Sequence, residues 1–326
     1  MNDKLKSVQF PLLSTPRNVL NEILKSMDLY YLIQFSILSK KTKLLVEALN
    51  VKPMPIDIYV TNELILFADN KISICSTVLI ANPVALTKRK KPGCKRKIYG
   101  KEFLEHVLIF FKQTTVRALL FFGNLGETFL PTVFYYVPYC ENFYIYENVS
   151  ESAQRKILSK YQNATNQLRL YSNPPEDIRK EIVMRNLDHL GIHKQWMTLE
   201  SLLSANSATL GCYHIDMKIL NRFLKLWIRN KSNSRLEYFY MDIWDQVEEK
   251  VQTLLAGIDY KEVPSGTIRI FKHSRKTIES NVDWLTMTNT IKVRGGYDFM
   301  RRDGTRATIT VREKNLRMRL EIFVWY

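Results

Sequence analysis

Between Phe10 and Asn50 the apolar positions fall into three runs with helical spacing. Val19, Leu20, Ile23, Leu24 and Met27 share one face behind Thr15-Pro16, which writes a helix start: a cap hydroxyl, then a proline at the first helical position. Asp28 interrupts the pattern. Leu29, Leu32, Ile33, Phe35 and Ile37 then predict a second, nearly all-apolar short helix. Ser39 can cap a third, which carries Lys40, Lys41 and Lys43 and then Leu44, Leu45, Ala48 and Leu49. Three helices in about forty residues cannot bury this much apolar surface among themselves. Either they cap the rest of the same chain, or the excess is meant for a partner.

The period changes after residue 55. Ile56-Asp57-Ile58-Tyr59-Val60 and Ile72-Ser73-Ile74 alternate with period two, as strands do. Beyond Lys101 a longer period takes over. Val116-x-x-Leu119-x-Phe121-x-x-Asn124 is followed by Cys140-x-x-Phe143-x-Ile145-x-x-Asn148 and by Leu168-x-Leu170-x-x-Asn173. Reduced copies follow: Leu187-x-x-Leu190-x-Ile192, Leu210-x-x-Tyr213-x-Ile215 and Leu236-x-x-Phe239-x-Met241. With positions 119, 143, 168, 190, 213 and 239 taken as equivalent, the steps are 24, 25, 22, 23 and 26 residues, inside the leucine-rich-repeat range. Residues 150–162, 175–186 and 216–230 between the strands read as helices, the second opening on a proline and two acids.

The expected architecture is α+β or α/β. An N-terminal three-helix unit precedes a degenerate leucine-rich-repeat-like strand–helix solenoid, in which alternate apolar residues face the following helix and one core runs along the array. Asn124, Asn148 and Asn173 would bond backbone groups where each strand turns away. Another α/β layer fold is the competing reading, since alternation alone does not set curvature. After Thr288 the chain reads as antiparallel strands, with a hairpin turn at Asp303-Gly304 between residues 297–302 and 305–311 that would cap the open end.

Composition narrows the function. A hydrophobic share of 46% in 326 residues allows a sizeable core. No stretch approaches the ~20 apolar residues of a membrane helix, and the opening MNDKLKSVQF lacks the apolar region of a secretory signal. The four cysteines (Cys75, Cys94, Cys140 and Cys212) are scattered without a C-x-x-C pair, so neither a zinc site nor a disulfide framework is expected. Cytoplasm or nucleus fits that usage. The net charge of +16 invites a polyanion partner. Yet Lys88, Arg89, Lys90, Lys91, Lys95, Arg96 and Lys97 crowd around Pro92-Gly93. That places them in a loop: a solvated run, a nuclear import signal or a generic polyanion contact. No phosphate loop, H-E-x-x-H, G-x-S-x-G or kinase signature is present. His189, His193 and His214 would share a sheet face, but without acids at metal-ligand spacing they read as ordinary surface histidines. No cofactor, metal or catalytic group is expected.

The order of residues adds a resemblance. Pro16-x-x-Val19-Leu20-x-x-Ile23-Leu24-x-x-Met27-Asp28-x-x-x-Leu32-x-x-Phe35-Ser36 resembles the F-box, the motif that docks on the Skp-type adaptor of cullin-RING ubiquitin ligases. Many F-boxes have a tryptophan where this chain has Thr42, and Ser39-Lys40-Lys41-Thr42-Lys43 is similar to the nematode F-box proteins. Further on, five segments look like the F-box-associated domain, type 2, of nematodes. They are Trp196-Met197-Thr198-Leu199-Glu200-x-Leu202-Leu203, Phe223-Leu224-x-x-Trp227, Leu236-Glu237-Tyr238, Leu255-Ala256-Gly257-Ile258 and the stretch from Gly295-Gly296-Tyr297-Asp298 to Ala307-Thr308-Ile309.

The resemblance implies a tail over 1–9, an F-box over 10–50, a strand-and-loop linker over 51–100 and a substrate-recognition domain over 101–326. It implies a non-catalytic substrate receptor of an SCF-type ligase, bound to a Skp-type adaptor and through it to a cullin. The adaptor face would be Pro16, Val19, Leu20, Ile23, Leu24, Met27, Leu32, Phe35 and Ser36. On the repeat register, Tyr144, Tyr146, Arg169, Tyr171, His193, His214 and Tyr240 alternate with the core positions and would hold a protein target on the open side of the sheet. Two readings from other classes compete: a basic nucleic-acid or polyanion binder, and an enzyme with an unrecognised site.

Overall fold

The computed structural model describes residues 12–27, 29–50, 56–60, 64–68, 78–80, 106, 108–109, 116–123, 125, 130–161, 166–193, 196–243, 246–281, 284–314 and 317–326. The chain divides into two units, residues 1–56 with 64–114, and residues 57–63 with 115–326.

The smaller unit holds α1 (Arg17–Ser26), α2 (Leu29–Ile37) and α3 (Lys40–Ala48), and the antiparallel pair β2 (Leu64–Ala68) and β3 (Val78–Ile80). The start of α1 differs from expectation. Pro16 is the N-cap itself, and Thr15 Oγ1 instead donates to Leu12 O at 2.7 Å, closing a short turn before the helix. The start of α3 is a full capping box. Ser39 Oγ accepts from Thr42 N at 3.1 Å, and Thr42 Oγ1 accepts from Ser39 N at 2.9 Å. Leu20, Leu24, Leu32, Ile33 and Val46 are buried. The basic run 88–97 and the strand expected at Ile72–Ile74 lie outside the described residues.

The larger unit is one mixed sheet. Its parallel strands are β1 (Ile56–Val60), β4 (Val116–Phe121), β5 (Cys140–Ile145), β6 (Gln167–Leu170), β7 (His189–Ile192), β8 (Thr209–Cys212) and β9 (Tyr238–Ile243). From β4 onward each strand is followed by a helix: α4 (Leu130–Tyr136), α5 (Glu151–Lys160), α6 (Glu176–Met184), α7 (Leu199–Ser204), α8 (Met217–Ile228) and α9 (Val247–Leu255). Ser150, Thr198 and Asp216 cap α5, α7 and α8 through their side chains, and Pro175 occupies the N-cap of α6. From β4 to β9 spatial order follows chain order, so every crossover steps the same way. With right-handed crossovers that places the helices on one face.

That face is a ladder of direct neighbours: Leu119, Phe143, Leu168, Leu190, Leu210 and Phe239, all buried. Tyr161, at the end of α5, packs over Phe121 and Phe143, meets Phe134 of α4 edge-on, and donates to Val137 O at 2.6 Å. Two expectations fail here. The fifth position of the ladder is Leu210 and not Tyr213, because Leu210 pairs with Leu190. The proposed asparagine ladder is not built: Asn148 and Asn173 are exposed, Asn148 in a left-handed turn at φ 70°, and Asn124 lies outside the described residues. A different tie fastens the first of these turns. Gln154 Nε2 donates to Val149 O at 2.8 Å, and Ser172 Oγ donates to Gln154 Oε1 at 3.1 Å.

Beyond β9 the sheet turns antiparallel. β13 (Arg317–Trp325) pairs with β9, β12 (Arg306–Lys314) with β13, β11 (Trp284–Met300) with β12, and β10 (Lys261–Asn281) forms the edge. The turn at Asp303-Gly304 closes the β11–β12 hairpin with Gly304 at φ 88°, and Arg301 N donates to Thr305 O across it. β11 begins near Thr288, where the sequence pattern places the first antiparallel strand, but the edge strand β10 begins well before it.

One buried ion pair joins the first two parallel strands. Arg117 Nε donates to Asp57 Oδ1 at 2.7 Å, a second bond runs from Nη2 to Oδ2, and both residues are buried. Burial raises the Asp57 carboxyl above its usual range, against the opposing pull of Arg117. Removing one partner leaves a charge stranded. Asp57→Asn should cost about 3–5 kcal/mol in urea unfolding, and Asp57→Leu with Arg117→Met should cost less than the single change. A single change milder than the double would show that the pair is not desolvated as described.

Candidate functional site

The sheet face opposite the helices carries an aromatic row at the ends of the parallel strands. Each row residue directly follows its strand. Its N–H donates to the strand before: Phe122 to Val60 O, Tyr146 to Phe121 O, Tyr171 to Ile145 O, His193 to Leu170 O and Tyr213 to Ile192 O, all at 2.8–3.0 Å. Parallel strands repeat every ~4.8 Å, close to the spacing of stacked rings. Phe122 and Tyr146 stack at 3.9 Å, Tyr146 and Tyr171 at 4.4 Å, and Tyr171 and His193 at 3.9 Å, all nearly parallel. Tyr213 follows at 5.9 Å, and Tyr59 extends the other end onto Phe122 at 5.5 Å. The row residues after the strands are half-buried, with part of each ring at the surface.

A second row lies two residues deeper. It reads Leu120, Tyr144, Arg169, Gly191, Gly211 and Tyr240. The two glycines make room for their neighbours. A Cβ on Gly191 would meet Arg169 Cγ at 3.0 Å, and one on Gly211 would meet the Tyr240 ring at 2.3 Å. The Arg169 stem and the Tyr240 ring therefore lie across these glycines and converge on His189. Arg169 Nη2 is 3.5 Å from His189 Nδ1, and His189 Nε2 is 3.2 Å from Tyr240 Oη. Arginine only donates, so Nδ1 is the acceptor and the proton sits on Nε2, facing Tyr240. Arg169 also lies over the Tyr144 ring at 5.7 Å, and Arg319 over the Tyr240 ring at 4.8 Å while donating to Asp242 at 2.8 Å.

Of the residues expected to line the open side, Tyr144, Tyr146, Arg169, Tyr171, His193 and Tyr240 stand on this face. They do not stand at one depth. Tyr144 and Arg169 are buried, and Tyr146, Tyr171 and His193 form the accessible row. His214 is a correction. It sits one residue past the row, exposed, and Tyr213 holds the row position. Phe122, Tyr213 and Tyr59 were missed. The signal for Tyr213 was present, since Leu190-Gly191-Ile192-His193 and Leu210-Gly211-Cys212-Tyr213 share one pattern.

Burial keeps the phenols and thiols of this unit protonated. Burial raises the Tyr144, Tyr146 and Tyr240 hydroxyls above their usual range, so they remain neutral phenols. Burial pushes the Cys212 thiol up to about 12 and raises Cys140 too, so neither is a thiolate. Among the described residues no three His, Cys, Asp or Glu side chains cluster as a metal site would require.

In the smaller unit the expected adaptor set splits in two. Leu20, Leu24, Leu32 and Ser36 are buried. Ser36 Oγ donates to Ile33 O and accepts from His106 Nε2, each at 2.7 Å. Pro16 and Val19 are exposed, and Ile23, Met27 and Phe35 are half-buried. Around them Tyr31, Leu38 and Leu44 are also exposed, at 57%, 58% and 64%. Part of the apolar excess read from the sequence is therefore at the surface of this unit, while about half the residues assigned to it are buried within the chain.

His189 generates a pH dependence. Burial first, then Arg169, holds its folded pKa well below the ordinary 6.5. A lowered histidine contributes stability that is complete above the unfolded value and is lost as pH falls below about 6.5 toward the folded value. Melting temperature should therefore drop between pH 7.5 and pH 5, and His189→Gln should flatten that slope. An unchanged slope in the variant would remove His189 as its source.

Two family models match this chain. The F-box domain matches residues 16–53, which span α1, α2 and α3, and a family described as F-box associated matches residues 178–241, from α6 into β9. No curated protein and no solved structure matches the chain. The second match holds the glycine pair and, of the accessible row, His193 and Tyr213, and the first holds the exposed apolar residues of α1 and α2. The chain thus carries an F-box domain at its N-terminal end and an F-box-associated domain beyond it.

Proposed function

We propose that this chain is the substrate-recognition subunit of an SCF-type cullin-RING ubiquitin ligase. Its F-box docks a Skp-type adaptor and through it a cullin, and the strand–helix domain holds a protein target. One observation carries the reading: an F-box domain and an F-box-associated domain occur on one chain, and the first leaves apolar side chains at its surface. The protein does no chemistry of its own. It raises the effective concentration of a target near the ligase's catalytic partners. The division into a tail, F-box, linker and recognition domain at residues 9, 50 and 100 belongs to this proposal, with β1 assigned to the recognition domain because it pairs with β4.

We read β4 to β9 as a degenerate leucine-rich-repeat-like solenoid. The in-register parallel pairing and the helix after every strand support that reading. The target surface is the aromatic row, with Tyr146 and Tyr171 at its centre. Cytoplasm or nucleus is the compartment this function requires. Among the described residues no helix is long and apolar enough to cross a membrane. The alternative, polyanion binding, rests on the net charge of +16 and the run 88–97. It would show as target binding that falls steeply with salt.

The adaptor test uses an exposed residue, so that docking and folding separate. Val19→Asp should abolish co-purification with a Skp-type adaptor while the melting temperature stays within a few degrees, since surface changes usually move stability by no more than about 0.5 kcal/mol. Undiminished adaptor capture would sink the docking face. The target test is Tyr146→Ala with Tyr171→Ala. It should leave adaptor binding intact and lose target capture, as truncated aromatic anchors cost ~2 kcal/mol or more each. Retained capture would move the target surface elsewhere.

A further inference from the structure

The helix layer ends at α9, but the sheet continues for four more strands. Side-chain alternation identifies the two faces of that extension. Phe271, Ile291 and Val293 pack with Tyr238 and Phe323 on the aromatic-row side. Ile268, Ile270, Lys272, Lys292 and Arg294 therefore point to the helix side, and all five are exposed. Ile268 and Ile270 are 53% and 56% exposed, in a position where earlier strands have a helix above them. Phe299, Ile309 and Val311 share that side, and Phe299 is covered by Trp227 of α8.

Between α9 and β11 this uncovered face deepens into a groove of about 920 Å³. Its apolar lining is Val251, Leu255, Ile258, Tyr260, Val263 and Val311. The backbone shapes it. The register of β10 against β11 slips between Val263 and Ile268, and Gly295 and Gly296 oppose the slip at φ 53° and 108°. A Cβ on Gly295 would meet Ser265 Cα at 2.9 Å, and one on Gly296 would meet Ile309 O at 2.4 Å. Only glycine leaves that wall bare. The groove itself carries Arg294 and Glu262 on the strand wall and Glu248 on α9, and the same face becomes basic beyond it, at Lys272 and Lys292.

We propose that this groove receives an amphipathic α-helix of a protein partner, with acidic residues where its flank passes Arg294, Lys272 and Lys292. The seat is where the next helix of the layer would lie, 8–10 Å from α9, as packed helices do. The groove favours a helix over an added strand. The exposed edge β10 is interrupted by Pro264 and its bulge and carries Lys272, devices that discourage strand addition. The surface lies on the opposite face from the aromatic row, so the inference stands independently of the target surface proposed above.

The test displays two peptide libraries against the full-length chain. One contains amphipathic helices about four turns long with randomised flanks, and the other contains extended, proline-punctuated peptides. The helical library should enrich binders with acidic flanks. These should lose about tenfold or more in affinity for the Tyr260→Asp, Arg294→Glu variant, and none for Tyr146→Ala, Tyr171→Ala. Both groove residues are exposed, and if that variant does not melt as the parent does, Lys272→Glu with Lys292→Glu reads the basic stretch beyond them. Enrichment of no helix, of extended peptides alone, or of helices indifferent to both groove variants overturns the proposal.

Discussion

Register between neighbouring parallel strands is the constraint on which the larger unit depends. Each strand from β4 to β9 meets the next residue for residue. Side chains alternate with period two, so one register builds a ladder on both faces at once. Leu119 to Phe239 line up beneath the helices, and Phe122 to Tyr213 line up on the other side. A slip of one residue in any strand would exchange the two sets. The hydrophobic ladder, worth about 1.5–3 kcal/mol for each fully buried large apolar side chain, therefore also sets the aromatic row. The ring positions are held by the core, and each is tied by its own N–H to the preceding strand. A row fixed in this way has little conformational freedom left to lose in any contact it makes.

Glycine does opposite work on the two sides of the sheet. Gly191 and Gly211 sit side by side on the row face, where a side chain would displace Arg169 and Tyr240. Their absence of a Cβ gives room to the stem of buried Arg169, which reaches Tyr144 and His189, and to the ring of Tyr240. Gly295 and Gly296 use positive φ to bend β11 and bring bare backbone to the groove wall beside α9. In the first case glycine admits large neighbours, and in the second it keeps a surface empty.

Periodicity made much of this legible. The three N-terminal helices, the strands near 119, 143, 168, 190 and 239, and the helices after Ser150, Pro175 and Asp216 all carry their period and cap in the sequence. The failures have particular causes. Around Leu210 a three-residue spacing to Tyr213 imitated the repeat, while the true apolar pair is Leu210 and Cys212 with glycine between. That displaced the site assignment onto His214. The asparagines after the strands looked like a ladder because residue type is visible and burial is not. β10 is the strand of the antiparallel part that was not read, because exposed Ile268 and Ile270 stand beside buried Phe271. It left no alternation strong enough to read. Which F-box residues are core and which are surface was also hidden, because both are leucine, isoleucine or valine at the same helical spacing.

Thr42 shows why such a surface assignment needs the fold. A threonine replacing a large ring looks like a lost contact. Here its hydroxyl accepts the Ser39 N–H while its own N–H meets Ser39 Oγ, and the side chain is buried. The reciprocal cap satisfies two donors at the first turn of α3, worth about 1 kcal/mol for a cap of this kind. No tryptophan could accept the Ser39 N–H, because its ring nitrogen only donates. The residue that departs from the common motif therefore stabilises the helix it begins. Any apolar docking surface of this F-box must then come from the exposed positions, Val19, Tyr31, Leu38 and Leu44 among them. It cannot come from the buried half of the motif, whose side chains are already committed to the fold.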